Sequence, residues 1–206
     1  MENINYSLVL IGNDFKEIKH LSKLLYISLK AEGFDASLLI KPMSNISNFS
    51  LTHSLIKVGK YNSFSCSYDI NAIISLDFQS ILNFIHLIGR ETLIISNYSS
   101  FNACNFFLAD NESVYEKLKG KTDYIYRIPA SNLVEQETMG KERVSPFISL
   151  IGAFAAKGGI LDIGSICGQA ALFSRNDREK ENNIKALLAG YDYLNEGGAE
   201  QLLQRP

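Results

Sequence analysis

Cysteine and histidine are scarce in this chain, three of each among 206 residues, and neither is grouped. Cys66, Cys104 and Cys167 form no C-x-x-C pair and have no histidine close by. An iron–sulfur cluster or a structural zinc needs closely spaced thiolates or imidazoles, so neither is expected here. The three cysteines read as buried or half-buried thiols behaving as small hydrophobes. His20, His53 and His86 have no neighbouring carboxylate or nucleophile signature, and two of them sit inside apolar periodic segments. No metal site is expected.

An excess of one charge is missing too. Twenty Lys+Arg stand against 22 Asp+Glu, the net charge is −2, and there is no local basic cluster. Nucleic acid and anionic membranes are therefore set aside as partners. Apolar runs of about 18 residues are absent, which excludes a transmembrane helix. The first ten residues, MENINYSLVL, carry an acidic residue and no basic n-region, so they do not read as a signal peptide. A cytoplasmic protein is expected. The chain also has no P-loop lysine, no H-E-x-x-H and no Ser/His/Asp arrangement, so no catalytic residue is assigned.

What is present is an ordinary globular composition, 46% hydrophobic and 20% charged, with a length suited to one substantial domain. Residues 5–11 read as a buried strand. Residues 14–32 place Phe15, Ile18, Leu21, Leu24, Leu25, Ile27 and Leu29 at helical spacing. Asn13 or Asp14 is the expected N-cap, Glu17 falls in the first turn, and Gly33 ends the helix. A strand over 34–40, stopped by Lys41-Pro42, completes a β-α-β unit, which implies parallel pairing of its two strands. Residues 42–52 read as a polar loop, and 52–60 as a half-exposed strand from the alternation of Ser54, Ile56 and Val58 with Leu55, Lys57 and Gly59.

Further strands are expected over 69–77, 92–97 and 123–128, with helices over 78–88, 113–119 and 129–139 and a loop over 97–105. From Pro146 the sequence turns apolar and small. A helix there puts Phe147, Leu150, Ile151 and Phe154 on one face and Gly152, Ala153 and Ala156 on a shallow one, which is expected to meet the closing helix or a partner subunit. That closing helix, 175–196, carries Ile184, Leu187, Leu188, Tyr191 and Leu194 on its apolar face. The expected fold class is α/β: one domain, 1–206, with a mostly parallel mixed sheet flanked by helices over 1–145 and a helical C-terminal layer over 146–206.

The stretch LVLIGNDFKEIKHLSKLL (8–25) has the layout of a phosphate-cradling turn, an apolar strand reaching Gly12 and a helix directly after it. Yet Gly12 is followed by Asn13, Asp14, Phe15 and Lys16, whose side chains obstruct the close backbone approach that glycines allow. Gly12, Asn13 and Asp14 are read as a vestigial cofactor loop, with a capped strand-to-helix turn as the favoured interpretation. Asp14 and Glu17 share one helical turn and read as cap and dipole partners.

Several of these stretches together are similar to one family. VSPFISLIGAFAAKGGILDIGSICGQAALF (144–173) resembles the C-terminal helices of the gamma subunit, or gamma domain, of 2-oxoacid:ferredoxin oxidoreductases, the pyruvate, 2-oxoglutarate and indolepyruvate enzymes. ENNIKALLAGYDYL (181–194) resembles that family's closing segment, with Asn183, Ala186, Gly190 and Tyr191 at its pattern positions, and DINAIISLD with ETLIISN resembles its middle strands. The departures are at the glycine turns. Where the family carries Gly-x-Gly-Gly-Gln-Gly this chain has Gly12 to Glu17, and NISNFSLTHSLIKVG (45–59) replaces its Arg-Gly-Gly-type turn. The resemblance implies a subunit inactive alone, working with a partner subunit that holds thiamine diphosphate and iron–sulfur clusters, with CoA as co-substrate and ferredoxin as indirect partner. It implies no cofactor in this chain, and it is compatible with a homo-oligomer. A degenerate assembly or regulatory module that has lost ligand contact is the alternative.

Overall fold

The computed structural model describes residues 5–46, 49–59, 69–98, 108–138 and 144–197. Six strands form one sheet in the order β2-β3-β1-β4-β5-β6. Strand β1 (Tyr6–Gly12) leads into α1 (Phe15–Ala31), then β2 (Ala36–Ile46), β3 (Phe49–Val58) and β4 (Ile70–Ser75). A short helix α2 (Phe78–Ile81) continues as a 3-10 turn, Leu82–Leu87, into β5 (Ile88–Asn97). Then come α3 (Leu108–Lys119), β6 (Ile125–Ile128), α4 (Ala130–Thr138), α5 (Pro146–Lys157), α6 (Ile163–Phe173) and α7 (Asp177–Asn195).

Strands β1, β4, β5 and β6 run parallel, whereas β3 is antiparallel to both β1 and β2. The expected parallel pairing of β1 with β2 is thus corrected. The two run in the same direction, but β3 lies between them, because β2 and β3 pair as a hairpin and β3 takes the place beside β1. Nor does Lys41-Pro42 stop β2. The strand continues to Ile46 because it is the sheet edge, where a residue without an N–H is tolerated. Much of the loop expected over 42–52 is therefore strand. Strand β3 alternates as its sequence does: Thr52, Ser54, Ile56 and Val58 are buried and His53, Lys57 and Gly59 half-buried, with Leu55 buried as the exception, and the Ser54 hydroxyl meets that of Ser22 on α1.

Helix α1 ends as its sequence requires. Gly33 has φ +86°, its N–H reaches Lys30 O at 3.0 Å, and the Phe34 N–H reaches Leu29 O at 3.1 Å, the paired bonds of a Schellman cap. The core has two parts. Leu8, Leu10, Ile56, Ala72, Ile74 and Ile95 pack under α1, α4, α5, α6 and α7, while Val9, Ile11, Ile73 and Ile94 pack under α2, the 3-10 turn and α3. Of the apolar face expected on the closing helix, Leu187 and Leu194 are buried and Ile184 and Tyr191 half-buried, but Leu188 is exposed. The shallow face of α5 meets α7. A Cβ on Gly152 would lie 1.9 Å from Leu187 O, and one on Gly190 would lie 1.8 Å from Ser149 O. Backbone touches backbone at this crossing, so α5 and α7 are held in close contact. No helix among the described residues is long and apolar enough to cross a membrane.

Candidate functional site

In an open α/β sheet, ligands bind beyond the carboxyl ends of the parallel strands, where the chain's connections diverge. Here that place lies between β1, which ends at Gly12, and its neighbour β4, which ends at Ser75. Gly12 is not among the described glycines with positive φ. A Cβ there would stand 2.9 Å from Ile18 Cδ1 and 3.0 Å from Phe147 Cε2, so the missing side chain makes room for α1 and α5 to close over the strand end. Asn13 is exposed. Asp14 is the N-cap: it has extended backbone, and its Oδ1 accepts from Lys16 N at 2.7 Å and Glu17 N at 3.2 Å. Those N–H groups are the donors a phosphate would use at a helix start. The turn's own carboxylate already holds them. The residues 12–17 therefore do not fit a diphosphate or a CoA phosphate.

The same closure is repeated beside it. The Ser145 hydroxyl donates to Glu17 Oε1 and accepts from Phe147 N at 3.1 Å, which caps α5. Asn176 caps α7 by accepting from Glu179 N at 2.8 Å, and Glu179 Oε2 accepts from Arg175 N at 2.8 Å. Asn183, one of the family-pattern residues, donates to Ser174 Oγ at 3.2 Å. A hollow of about 180 Å3 lies between these helix starts, lined by Glu17, His20, Ser145, Ile148, Glu179 and Asn183 among others. His20 packs edge-on against Phe173, with ring centroids 5.7 Å apart. A serine beside a carboxylate resembles part of a nucleophile site, but the Ser145 oxygen is spent on its cap and no histidine base bonds to it.

On the other sheet face, register places His53, Ile11, Ser75, Ser96 and Arg127 in one row across β3, β1, β4, β5 and β6. Ser75 Oγ donates to Asp77 O at 2.8 Å, and Asp77 caps α2 by accepting from Ser80 N at 2.8 Å. The Ser96 hydroxyl is buried and has no hydrogen-bond partner among the described residues. The Arg127 guanidinium lies 4.2 Å from the Tyr98 ring centroid, 5.2 Å from that of Tyr115 and 5.6 Å from that of Phe78. His53 packs on Phe84 at 5.3 Å, and burial, with the neighbouring Lys41 charge second, holds its imidazole below the usual histidine range. Sequence reasoning missed this row. Its members come from five strands, and no local spacing links them.

The described cysteine, Cys167, is half-buried, and burial followed by the Asp162 charge pushes its thiol up, which makes it less reactive. Cys66 and Cys104 fall outside the described residues. Among the described residues no group of three or more His, Cys, Asp or Glu is placed to hold a metal.

No protein-family model matches the sequence, and no curated protein matches it. Solved structures do. The pyruvate oxidoreductase subunit PORC of Thermotoga maritima is similar with TM-score 0.68 and 16% identity, over 91% of this chain and 96% of that one. The gamma subunit of a keto/oxoacid ferredoxin oxidoreductase from Geobacter sulfurreducens gives TM-score 0.68 and 11% identity, over 92% and 95%. A 2-oxoglutarate:ferredoxin oxidoreductase from Magnetococcus marinus, solved with 2-oxoglutarate, coenzyme A and succinyl-CoA bound, gives TM-score 0.70 and 11% identity, over 95% of this chain but 32% of that one. Over more than nine-tenths of its length the chain has the fold of these two subunits and of about a third of the Magnetococcus chain, at identities that mark a divergent sequence.

Proposed function

We propose that the chain is a gamma-type subunit of a 2-oxoacid:ferredoxin oxidoreductase complex, inactive alone. The complex oxidatively decarboxylates a 2-oxoacid of the pyruvate or indolepyruvate type, joins the acyl group to CoA, releases CO2 and passes the electrons to ferredoxin in the cytoplasm. Thiamine diphosphate and the iron–sulfur clusters belong to a partner subunit. The observation that carries this reading is the match to two gamma-type subunits along almost the whole of each chain. The capped helix starts agree with it, since each polar group there completes the fold.

A second reading has its own support in Asp14, whose carboxylate fills the turn where a phosphate would sit. On that reading the subunit is kept for assembly or regulation and touches no ligand.

Affinity purification of the chain from its native source, with mass spectrometry and a cofactor assay, tests both. Recovery of a thiamine-diphosphate and iron–sulfur subunit, with CoA-dependent reduction of ferredoxin by a 2-oxoacid, supports the first. If removing the chain leaves that rate intact but disperses the complex, the second holds. A chain that recovers no such partner, or that is itself brown with iron and sulfide when purified alone without oxygen, overturns the proposal.

A further inference from the structure

At the opposite end of the sheet the helical cover stops short. Helix α5 ends at Lys157, and Gly158 follows it with its N–H on Phe154 O at 2.7 Å. A Cβ on Gly158 would stand 2.4 Å from the Phe154 ring, so the glycine leaves the ring its place there. The sheet beneath is hollow for a second reason. Asn71, at the start of β4, accepts from Ser7 N at 2.8 Å and so turns toward β1, and the next residue is Ala72. What is left is a cavity of about 280 Å3, walled by Tyr6, Leu93, Tyr124 and Tyr126, with Glu91 and Lys157 at its lip. That volume sits just under the roughly 300–1,000 Å3 of sites for drug-sized ligands, which is the scale of one amino acid.

The chemistry of the lining is specific. Tyr6 packs on Phe154 with centroids 6.3 Å apart, and its hydroxyl has no hydrogen-bond partner among the described residues. Burial keeps that phenol protonated well above neutral pH, so it remains a donor. Lys157 Nζ stands 5.9 Å from the Tyr126 ring centroid. Lys157 and Glu91 are both exposed, and neither has an ion-pair partner among the described residues. One cation, one carboxylate, phenol donors and aromatic walls complement a molecule that carries both charges and an apolar body.

We propose that this cavity binds a free α-amino acid with an aromatic or large apolar side chain. Its carboxylate faces Lys157 and the Tyr6 hydroxyl, its ammonium faces Glu91, and its side chain lies against Leu93 and the tyrosine rings. The site is separate from the β1–α1 turn and needs no partner subunit.

The test is calorimetric titration of the full chain with L-phenylalanine, together with amide NMR. Saturable binding is expected, with shifts at the Asn71 and Gly158 amides. 3-Phenylpropanoate, which lacks only the ammonium, and 2-phenylethylamine, which lacks only the carboxylate, should each bind about tenfold more weakly. Lys157→Met should weaken L-phenylalanine by about tenfold while leaving 2-phenylethylamine unchanged, and Glu91→Gln should do the same with 3-phenylpropanoate unchanged. Both replaced side chains are exposed, and unchanged thermal unfolding confirms that the variants fold. No saturation by L-phenylalanine, equal affinity for the three compounds, or undiminished binding by both variants overturns the proposal.

Discussion

A Cβ on Gly12 would press on the side-chain tips of Ile18 and Phe147, whereas a Cβ on Gly190 would lie 1.8 Å from the backbone oxygen of Ser149. Side-chain tips can swing aside; a helix backbone cannot. The two places also differ in their polar groups. At the β1–α1 turn the helix donors are exposed to solvent and answered by a replaceable side chain, Asp14. At the α5–α7 crossing the carbonyls are already inside their own helices, and glycine is required by distance alone. The turn is where the sequence departs from the family pattern, whereas the crossing lies in the segments that resemble it and holds its glycines for a reason no other residue can meet. A divergent chain can change that turn and keep its architecture, but it cannot lose the crossing.

The comparison can be broken most directly at that crossing. Gly190→Ala or Gly152→Ala should cost about 3 kcal/mol in urea unfolding, because two helices must separate. Gly12→Ala should cost about 1 kcal/mol, since flexible tips give way. Equal losses at Gly12 and Gly190 would show that the backbones are not in contact. Ala153, fully buried on α5 one residue past Gly152, comes next. Ala153→Leu should lose about 1–3 kcal/mol by overpacking, and a neutral result would place that side of α5 at the surface.

At the turn the effects are smaller and sharpen the contrast. Asp14→Ala should cost about 1 kcal/mol through the lost cap, and it should let inorganic phosphate raise the melting temperature where wild type shows no such rise. Replacing Phe15 and Lys16 with glycine should cost about 0.5–1 kcal/mol each and create no phosphate binding, because Asp14 still occupies the donors. Phosphate binding by that glycine variant would mean that side-chain bulk, and not the cap, closes the turn.

The smallest effect concerns His53. Its folded pKa lies below the ordinary 6.5, so protonation favours the unfolded chain. The stability this gives is present above that ordinary value and lost as pH falls below it toward the folded value. Wild type should therefore lose more stability than His53→Leu between about pH 7.5 and about pH 5 in denaturant titrations. Parallel losses would remove His53 as the cause.

Local physics made much of this protein legible from its residues alone. The start of α1 could be read because Asp14 is a residue whose side chain reaches its own backbone two and three positions on, and Asp77, Ser145, Asp162 and Asn176 cap later helices by the same local reach. The end of α1 could be read because Gly33 tolerates a positive φ. Buried strands such as β4 and β5 announced themselves as short apolar runs. Those features depend on neighbours within a few residues, and sequence order supplies them. Strand order does not depend on such neighbours. The alternation in 52–60 is the same whether the strand lies at an edge or between β1 and β2, and the partner of its Ser54 hydroxyl, Ser22, lies 32 residues away. The glycines 152 and 190 were visible, but that Gly152 lies on the backbone of Leu187 and Gly190 on that of Ser149 follows only from how α5 and α7 cross. So too with the row His53, Ser75, Ser96, Arg127 and with the hollow under Gly158: each is assembled by register and by where a helix happens to end, and only the packed chain decides those distances.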